Sequence, residues 1–187
     1  MKHQLHNLIV IAVILMGLTA CHKSVKEQLV GTWYCTDTTT VDGMTYSYEE
    51  IDTHKEDGTC SGVVNFIFKG ITDVDGENIQ IEMEGNMKCS GEWTVNDMEI
   101  VTSTTSAEVK LTSMKYYDPS DGSFIAELTE SDLTEFETNI FTDEELKEAF
   151  SETSTERIIT LQENKYVTES DDDGEKTTCT YIRVNQK

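Results

Sequence analysis

The chain has 187 residues, with 36 acidic and 14 basic side chains, and its formal net charge is −22 at pH 7. That length fits one domain, or one domain with an appendage. A surface this acidic repels nucleic-acid phosphates, so nucleic acid is excluded as a partner. Aromatic and β-branched residues occur throughout the chain, which excludes wholesale disorder.

Residues 1–20 have the pattern of an export signal. A weakly basic start precedes an apolar run over 8–18 and two small residues. The run is shorter than the roughly 20 residues of a membrane span. The stretch Leu18-Thr19-Ala20-Cys21 resembles the lipobox of bacterial lipoproteins. That resemblance implies cleavage between Ala20 and Cys21, diacylglyceryl transfer to the Cys21 thiol and acylation, as by palmitate, of the new amine. The alternative is an ordinary secretory signal with a chance cysteine.

The same resemblance predicts the location of the protein. His22 follows the cysteine, where an aspartate would favour the inner membrane, so we expect the outer membrane. Several acyl chains on one residue give stable attachment. We expect a lipid-anchored protein of the bacterial cell envelope that faces the periplasm. Residues 21–28 would form the lipidated cysteine and a short tether, and 29–187 one domain.

The domain reads as a series of short strands joined by tight turns. Asp-Gly pairs, which supply the positive φ angles of hairpin turns, separate segments of alternating polarity. These pairs are Asp42-Gly43, Asp57-Gly58, Asp75-Gly76, Asp121-Gly122 and Asp173-Gly174. The predicted strands are 31–38, 44–54, 58–68, 78–84, 86–95, 98–103, 105–116, 123–130, 132–138, 156–163, 165–170 and 176–184. Such strands must close or double over to hide their edges, which predicts an all-β fold.

Two helices are expected besides the strands. A short helix over 24–30 precedes the first strand. A second, over 142–150, begins with the capping box Thr142-Asp143-Glu144-Glu145 and carries a one-sided apolar stripe. It would cap one end of the barrel or pack outside it.

Four cysteines remain once Cys21 is lipidated, and an exported domain meets oxidising conditions. Four cysteines allow three pairings. If 58–68 and 79–89 are antiparallel neighbours, Cys60 faces about residue 87, one diagonal step from Cys89. We therefore favour Cys60–Cys89, which leaves Cys35–Cys179. The alternative is four buried free thiols.

The opening Leu29-Val30-Gly31-Thr32-Trp33 resembles the Gly-x-Trp start of lipocalins, and the resemblance extends loosely over 29–184 to the lipocalin-like domains of bacterial lipoproteins. It implies an antiparallel up-and-down barrel of the calycin type with one short helix inserted before the last strands. It also implies that Trp33 packs at the closed end beneath Arg183 of the last strand. Side-chain alternation then places Cys35 and Cys179 on the same inward face.

Few residues suggest chemistry. No nucleophile elbow, zinc-binding helix or phosphate loop occurs in the sequence, so we expect neither enzyme nor cofactor nor metal. His54 is expected to be an exposed strand residue. The acidic runs Asp73–Glu77 and Asp171–Glu175 could attract calcium but fit hairpin turns better.

The aromatic residues of the strands could line a ligand cavity, since small-molecule pockets are mostly apolar. The candidates are Tyr46, Tyr48, Phe66, Phe68, Trp93 and Tyr116. The function expected is therefore that of a membrane-anchored, non-enzymatic, lipocalin-like protein that binds a small apolar ligand or an envelope partner. The rival is an interaction protein with a solid barrel that uses residues 118–155 as its contact surface. Because residues 121–175 hold 18 acidic and 3 basic side chains, a cationic protein would suit that surface.

Overall fold

Nine strands and two helices have their bounds within the described part of the chain. The computed structural model describes residues 23–41, 43–74, 76–142, 146, 153–172 and 175–184. The strands are β1 (Gly31–Val41), β2 (Met44–His54), β3 (Thr59–Val74), β4 (Glu77–Asn96), β5 (Glu99–Tyr117), β6 (Phe124–Glu127), β7 (Ser154–Gln162), β8 (Lys165–Asp172) and β9 (Glu175–Arg183). The helices are α1 (Val25–Leu29) and α2 (Glu130–Ile140). None of the helices in these ranges has the length and apolar character needed to cross a membrane.

Eight of the strands close into an antiparallel up-and-down barrel. Sequence neighbours pair with one another, β5 pairs with β7, and β9 returns to β1 through the pair Trp33 and Arg183. The short strand β6 lies beside the far end of β5. Closure leaves the eight barrel strands without a free edge. The expected all-β barrel, with one short helix before its last strands, is confirmed.

Two of the predicted turns, at Gly43 and Gly76, join the paired ends of neighbouring strands. Val41 pairs with Met44 and Val74 with Glu77, which leaves two residues in each turn. The glycines take positive φ angles, 78° at Gly43 and 87° at Gly76. Glycine adopts this conformation without the steric cost that a Cβ would bring.

Two predicted breaks in the strands are wrong. The segments 78–84 and 86–95 form one strand, β4, because Gly85 serves a close approach and does not form a turn. A Cβ on Gly85 would lie 2.6 Å from the Phe66 ring and 2.8 Å from the Lys110 carbonyl oxygen. The segments 98–103 and 105–116 likewise form one strand, β5, whose pairing with β4 shifts register at two irregularities.

Residues 132–138, predicted as a strand, instead form the helix α2. The Asp132 N–H donates to the Thr129 hydroxyl (3.3 Å) and the Thr129 N–H donates to the Asp132 carboxylate (3.1 Å), which is a capping box. Helical spacing places Leu133 and Phe136 against the barrel, and this packing outweighs the strand propensity of the segment. The helix expected over 142–150 lies outside the described residues except for Thr142 and Leu146, and the Leu146 N–H donates to the Thr142 carbonyl.

The barrel interior contains two apolar clusters. The closed-end core lies next to α1 and consists of Leu29, Trp33, Cys35, Trp93, Ile100, Ile158, Tyr166 and Tyr181. The plug cluster lies at the other end, where α2 packs onto the long strands, and consists of Leu111, Met114 and Leu133 with Phe66, Ile81, Met83, Tyr116, Leu128, Phe136 and Phe141 against them. The predicted short helix at the closed end, α1, is confirmed; Ser24 caps it.

Candidate functional site

A cavity of about 410 Å³ lies inside the barrel, beside the closed-end core. We call it the acidic chamber. Its lining residues are Glu50, Asp52, His54, Cys60, Ser61, Gly62, Val64, Met87, Cys89, Ser90, Thr102, Thr104, Thr153, Ser154 and Glu156. This lining contains three carboxylates and one imidazole, and neither lysine nor arginine.

The alternation of β2 brings its polar residues inside. Trp33 pairs with Asp52 and Cys35 with Glu50, and both Trp33 and Cys35 are buried. Residues separated by two share a face, so the inward face of β2 continues to His54, while Ile51 points outward and is 43% exposed. Glu156 enters from β7, opposite Ile100 of β5.

No basic side chain in the lining balances the negative charge of the chamber's carboxyl groups. Burial raises the pKa of the Glu50 carboxyl to about 8, and the negative charges of Asp52 and Glu156 add to the shift. Burial also raises the pKa of Asp52 to about 6, against a hydrogen bond with Glu50 that lowers it. Near neutral pH the pair therefore shares a proton.

His54 forms part of the chamber wall, and the expectation that it is exposed is wrong. The residue is 6% exposed, and its ring stacks on Trp93 with 4.6 Å between centroids. Burial lowers the pKa of His54 to about 4, against a hydrogen bond to the backbone of Leu29 that raises it. The imidazole is thus neutral at pH 7, and its Nδ1 atom is buried without a hydrogen-bond partner.

The closed end is held by the contact expected between Trp33 and Arg183. The guanidinium carbon lies 4.1 Å from the Trp33 ring centroid. The guanidinium also donates to the carbonyl oxygens of Val30 (2.9 Å), Glu163 (2.9 Å) and Gln28. Arg183 therefore ties the last strand to the residues around α1 and to the turn before β8.

The four cysteines lie in two diagonal pairs on inward faces. Cys60 pairs with Gly91 and Cys89 with Gly62. The predicted register of this hairpin is thus wrong by four residues, because the turn falls at residues 75–76, but the diagonal relation remains. The second pair lies on the neighbouring strands β1 and β9. The Cys35 thiol and the Tyr48 hydroxyl hydrogen-bond the Cys179 sulfur, and these hydrogen bonds lower the pKa of Cys179 to about 7.

All four cysteines are free thiols in this structure, and both pairings stay predictions. A thiolate at Cys179 favours attack on a mixed disulfide, and Cys35 is its neighbour. We expect protein isolated from an oxidising envelope to contain Cys35–Cys179, detected by peptide mass mapping without reductant. Trapping at harvest with a thiol-alkylating reagent controls for oxidation during work-up. Complete alkylation of both residues would contradict the pairing.

The six aromatic ligand candidates do not converge on one cavity. Phe66 and Tyr116 pack in the plug cluster, and Tyr46, 41% exposed, packs against Phe68. Tyr48 contacts Cys179, and Trp93 lies behind His54. None of the six lines the acidic chamber, and a ligand at any of them stays a prediction.

The polar residues that do line the chamber were missed because only aromatic residues of the strands were considered as ligand candidates and His54 was expected to be exposed. One signal was present: the face shared by Tyr46 and Tyr48 continues to Glu50, Asp52 and His54. A second cavity, about 500 Å³, is a groove bordered mainly by outward residues such as Glu49, Asn65 and Glu84. No group of three or more metal-binding side chains in the described ranges is arranged to hold a metal ion.

The geometry defines a class of protein: a closed antiparallel β-barrel with a polar, acceptor-rich chamber inside. Comparison with known proteins adds no further assignment, since neither a protein-family model nor a curated protein matches the chain.

Proposed function

We propose that this protein is a membrane-tethered, lipocalin-like lipoprotein that binds a small molecule inside its barrel. The observation that carries the proposal is the acidic chamber, with the buried and unpartnered Nδ1 atom of His54 in its wall. The volume of about 410 Å³ lies in the range of small-molecule sites.

The plug cluster argues against the large apolar cavity that lipocalin-like proteins would offer to an apolar ligand. Leu133 of α2 is 8% exposed, and Phe136 packs beside it. The apolar half of the interior is thereby filled by the protein itself. What remains open is polar, so we propose a polar ligand in place of the apolar one.

The tether would hold the closed end of the barrel near the membrane. Ser24, the cap of α1, lies three residues after Cys21, and α1 contributes Leu29 to the closed-end core. The signal cleavage site and Cys21 lie outside the described residues, so the anchor rests on the lipobox pattern.

Non-enzymatic binding is part of the proposal, and an interaction role is the second candidate. Phe124 and Ile125 on β6 are 58% and 55% exposed, an apolar pair that a protein partner could cover. Leu128, Leu133 and Phe136, which belong to the same segment, pack in the plug cluster and are not available as a contact surface.

Native mass spectrometry tests small-molecule binding directly. The full-length protein is purified from its own envelope in mild detergent, and we expect a co-purifying small molecule that is lost on denaturation. The variant Gly62→Leu is the matched control, because a Cβ there would lie 2.5 Å from the Asp52 carboxylate and 2.8 Å from the Cys89 sulfur. A folded variant should lose the adduct; absence of any adduct from the parent protein would contradict binding.

Membrane attachment is tested at Cys21. We expect Cys21→Ala to release the protein into the soluble periplasmic fraction, because loss of the acyl chains removes about 0.8 kcal/mol for each buried CH₂ group. Fractionation followed by immunoblotting measures the change, and Cys60→Ala controls for loss of a cysteine elsewhere. Continued attachment of Cys21→Ala would refute the anchor.

A further inference from the structure

The acidic chamber contains acceptors and negative charge but no positive partner of its own. Glu50, Asp52 and Glu156 bring carboxylates to it from two strands, and its lining residues include neither lysine nor arginine. Buried carboxylates are ordinarily paired, because a charge without a partner in a poorly solvated site is costly. The lining residues therefore include no cationic side chain that could pair with these carboxylates.

A second observation concerns His54, of which only 6% is exposed. With the Leu29 backbone accepting a hydrogen bond from the imidazole, the neutral ring leaves Nδ1 as a lone-pair acceptor. His54 therefore brings a neutral ring, and no positive charge, to the chamber wall.

We propose that the acidic chamber binds a small organic cation, whose positive nitrogen is held between the carboxylates of Glu50, Asp52 and Glu156. The inference rests on the proposed function and names the ligand class for that site. Ammonium and amidinium groups supply donors and positive charge together, and both pair well with carboxylates.

The opposed placement of the acids supports this ligand class. Glu50 and Asp52 lie on β2 within hydrogen-bonding reach of each other, and Glu156 lies on β7, close enough that its charge raises the pKa of both. A nitrogen between them would contact carboxylates from two sides. The raised pKa values show that ionising Glu50 and Asp52 costs free energy, and a bound cation would offset that cost.

The size of the chamber favours an organic cation over a bare metal ion. About 410 Å³ is far more than a coordinated ion fills, and Val64 and Met87 add apolar wall that a hydrocarbon stem would cover. Neutral Thr102 and Thr104 hydroxyls could accept additional N–H groups along the β5 wall.

Isothermal titration calorimetry on the full-length protein in detergent tests the inference with matched probes. The cationic probes are 1,4-diaminobutane and benzamidine, and the neutral isosteres are 1,4-butanediol and benzamide; calcium chloride is titrated alone. We expect at least one cationic probe to bind about tenfold or more tightly than its isostere, since one lost charged contact is worth that factor or more.

Variants place the binding inside the barrel. Glu50→Gln and Glu156→Gln should each weaken the cationic probe about tenfold, whereas Glu49→Gln, on the outward face of the same strand, should leave it within about twofold. Glutamine keeps the shape of the side chain, and circular dichroism verifies folding. Should Glu50→Gln fail to fold, Glu156→Gln alone decides, because it lies on a different strand.

The outcomes separate this inference from the proposed function. Equal affinity for isosteres, equal effects of Glu49→Gln and Glu50→Gln, or binding of calcium without binding of amines would overturn the organic cation. A neutral or anionic molecule co-purifying in native mass spectrometry would also overturn it, yet would leave small-molecule binding intact. If no molecule co-purifies and no probe binds, both proposals fall.

Discussion

Trp33→Ala should destabilise the protein by about 3–5 kcal/mol, the cost of removing a fully buried aromatic side chain from a core. Trp33 is 0% exposed, its ring meets Tyr166 edge-on at 4.7 Å, and its indole N–H donates to the Leu29 carbonyl at 2.7 Å. Removal of the ring also leaves the Arg183 guanidinium without its stacking partner. Urea titration followed by circular dichroism measures the loss, and the melting temperature should fall by about 2–4 °C per kcal/mol for a protein of this size.

The matched control for Trp33→Ala is Tyr34→Ala, the next residue of β1. Tyr34 points outward, where its hydroxyl meets Glu49 at 3.3 Å, so its loss should cost less than about 1 kcal/mol. A milder test, Arg183→Met, removes the guanidinium and should cost about 1.5–3 kcal/mol, because hydrogen bonds from a charged donor are lost. Equal costs for Trp33→Ala and Tyr34→Ala would contradict the importance assigned to the closed-end core.

The second large effect concerns pH. Folding raises the pKa of Glu50 from 4.5 to about 8, so the folded state favours the protonated carboxyl. The stability that Glu50 contributes is fully present below pH 4.5 and is lost as pH rises through 8. His54 acts in the other direction: its pKa falls from 6.5 to about 4, and stability is lost as pH falls through that interval. The free energy of unfolding should therefore decrease from pH 6.5 upward through the interval that Glu50 controls.

Glu50→Gln isolates this effect, since glutamine cannot ionise. We expect the variant to gain about 1–3 kcal/mol over the parent at alkaline pH and to show a flatter pH profile. The measurement is urea unfolding at a series of pH values in constant ionic strength. Glu49→Gln, which removes one exposed charge, corrects for the general repulsion of a chain with net charge −22. Parallel profiles for Glu50→Gln and the parent would contradict the buried, uncompensated state of Glu50.

The barrel could be predicted from the sequence because several local patterns agree with one another. Two-residue Asp-Gly turns, period-two alternation and the Gly31-x-Trp33 opening predict both ends of β2 and the start of β1, which continues three residues beyond its predicted end at 38. The contact between Trp33 and Arg183 was implied by the resemblance to lipocalins and not by these local signals, and the structure contains it.

Contacts between residues distant in the sequence were harder to predict from the sequence. The Thr129–Asp132 capping box and the helical spacing of Leu133 and Phe136 are present in the sequence. The stretch Ile125–Leu133 also parallels Ile158–Tyr166, each with the pattern of a strand, a polar turn and a strand, and this parallel favours a strand over 132–138. What decides between the two conformations is the open barrel end that Leu133 fills, and no local pattern contains that information.

The acidic chamber could not be predicted for a similar reason. Hydrophobicity does not favour Glu50, Asp52 and His54 as inward residues of β2, yet the pairing of Trp33 with Asp52 places them on the inward face. The function of a site can require polar residues where a packed core would not, so local preference and structure disagree there.

Trp93 lies between His54 of the chamber wall and Lys26 of helix α1. The His54 ring stacks on one contact surface of the indole, and the Lys26 ammonium of α1 lies 5.4 Å from the ring centroid. A molecule bound against the His54 wall of the chamber would change the surroundings of the indole, so Trp93 fluorescence would report binding. The same indole links the chamber wall to helix α1.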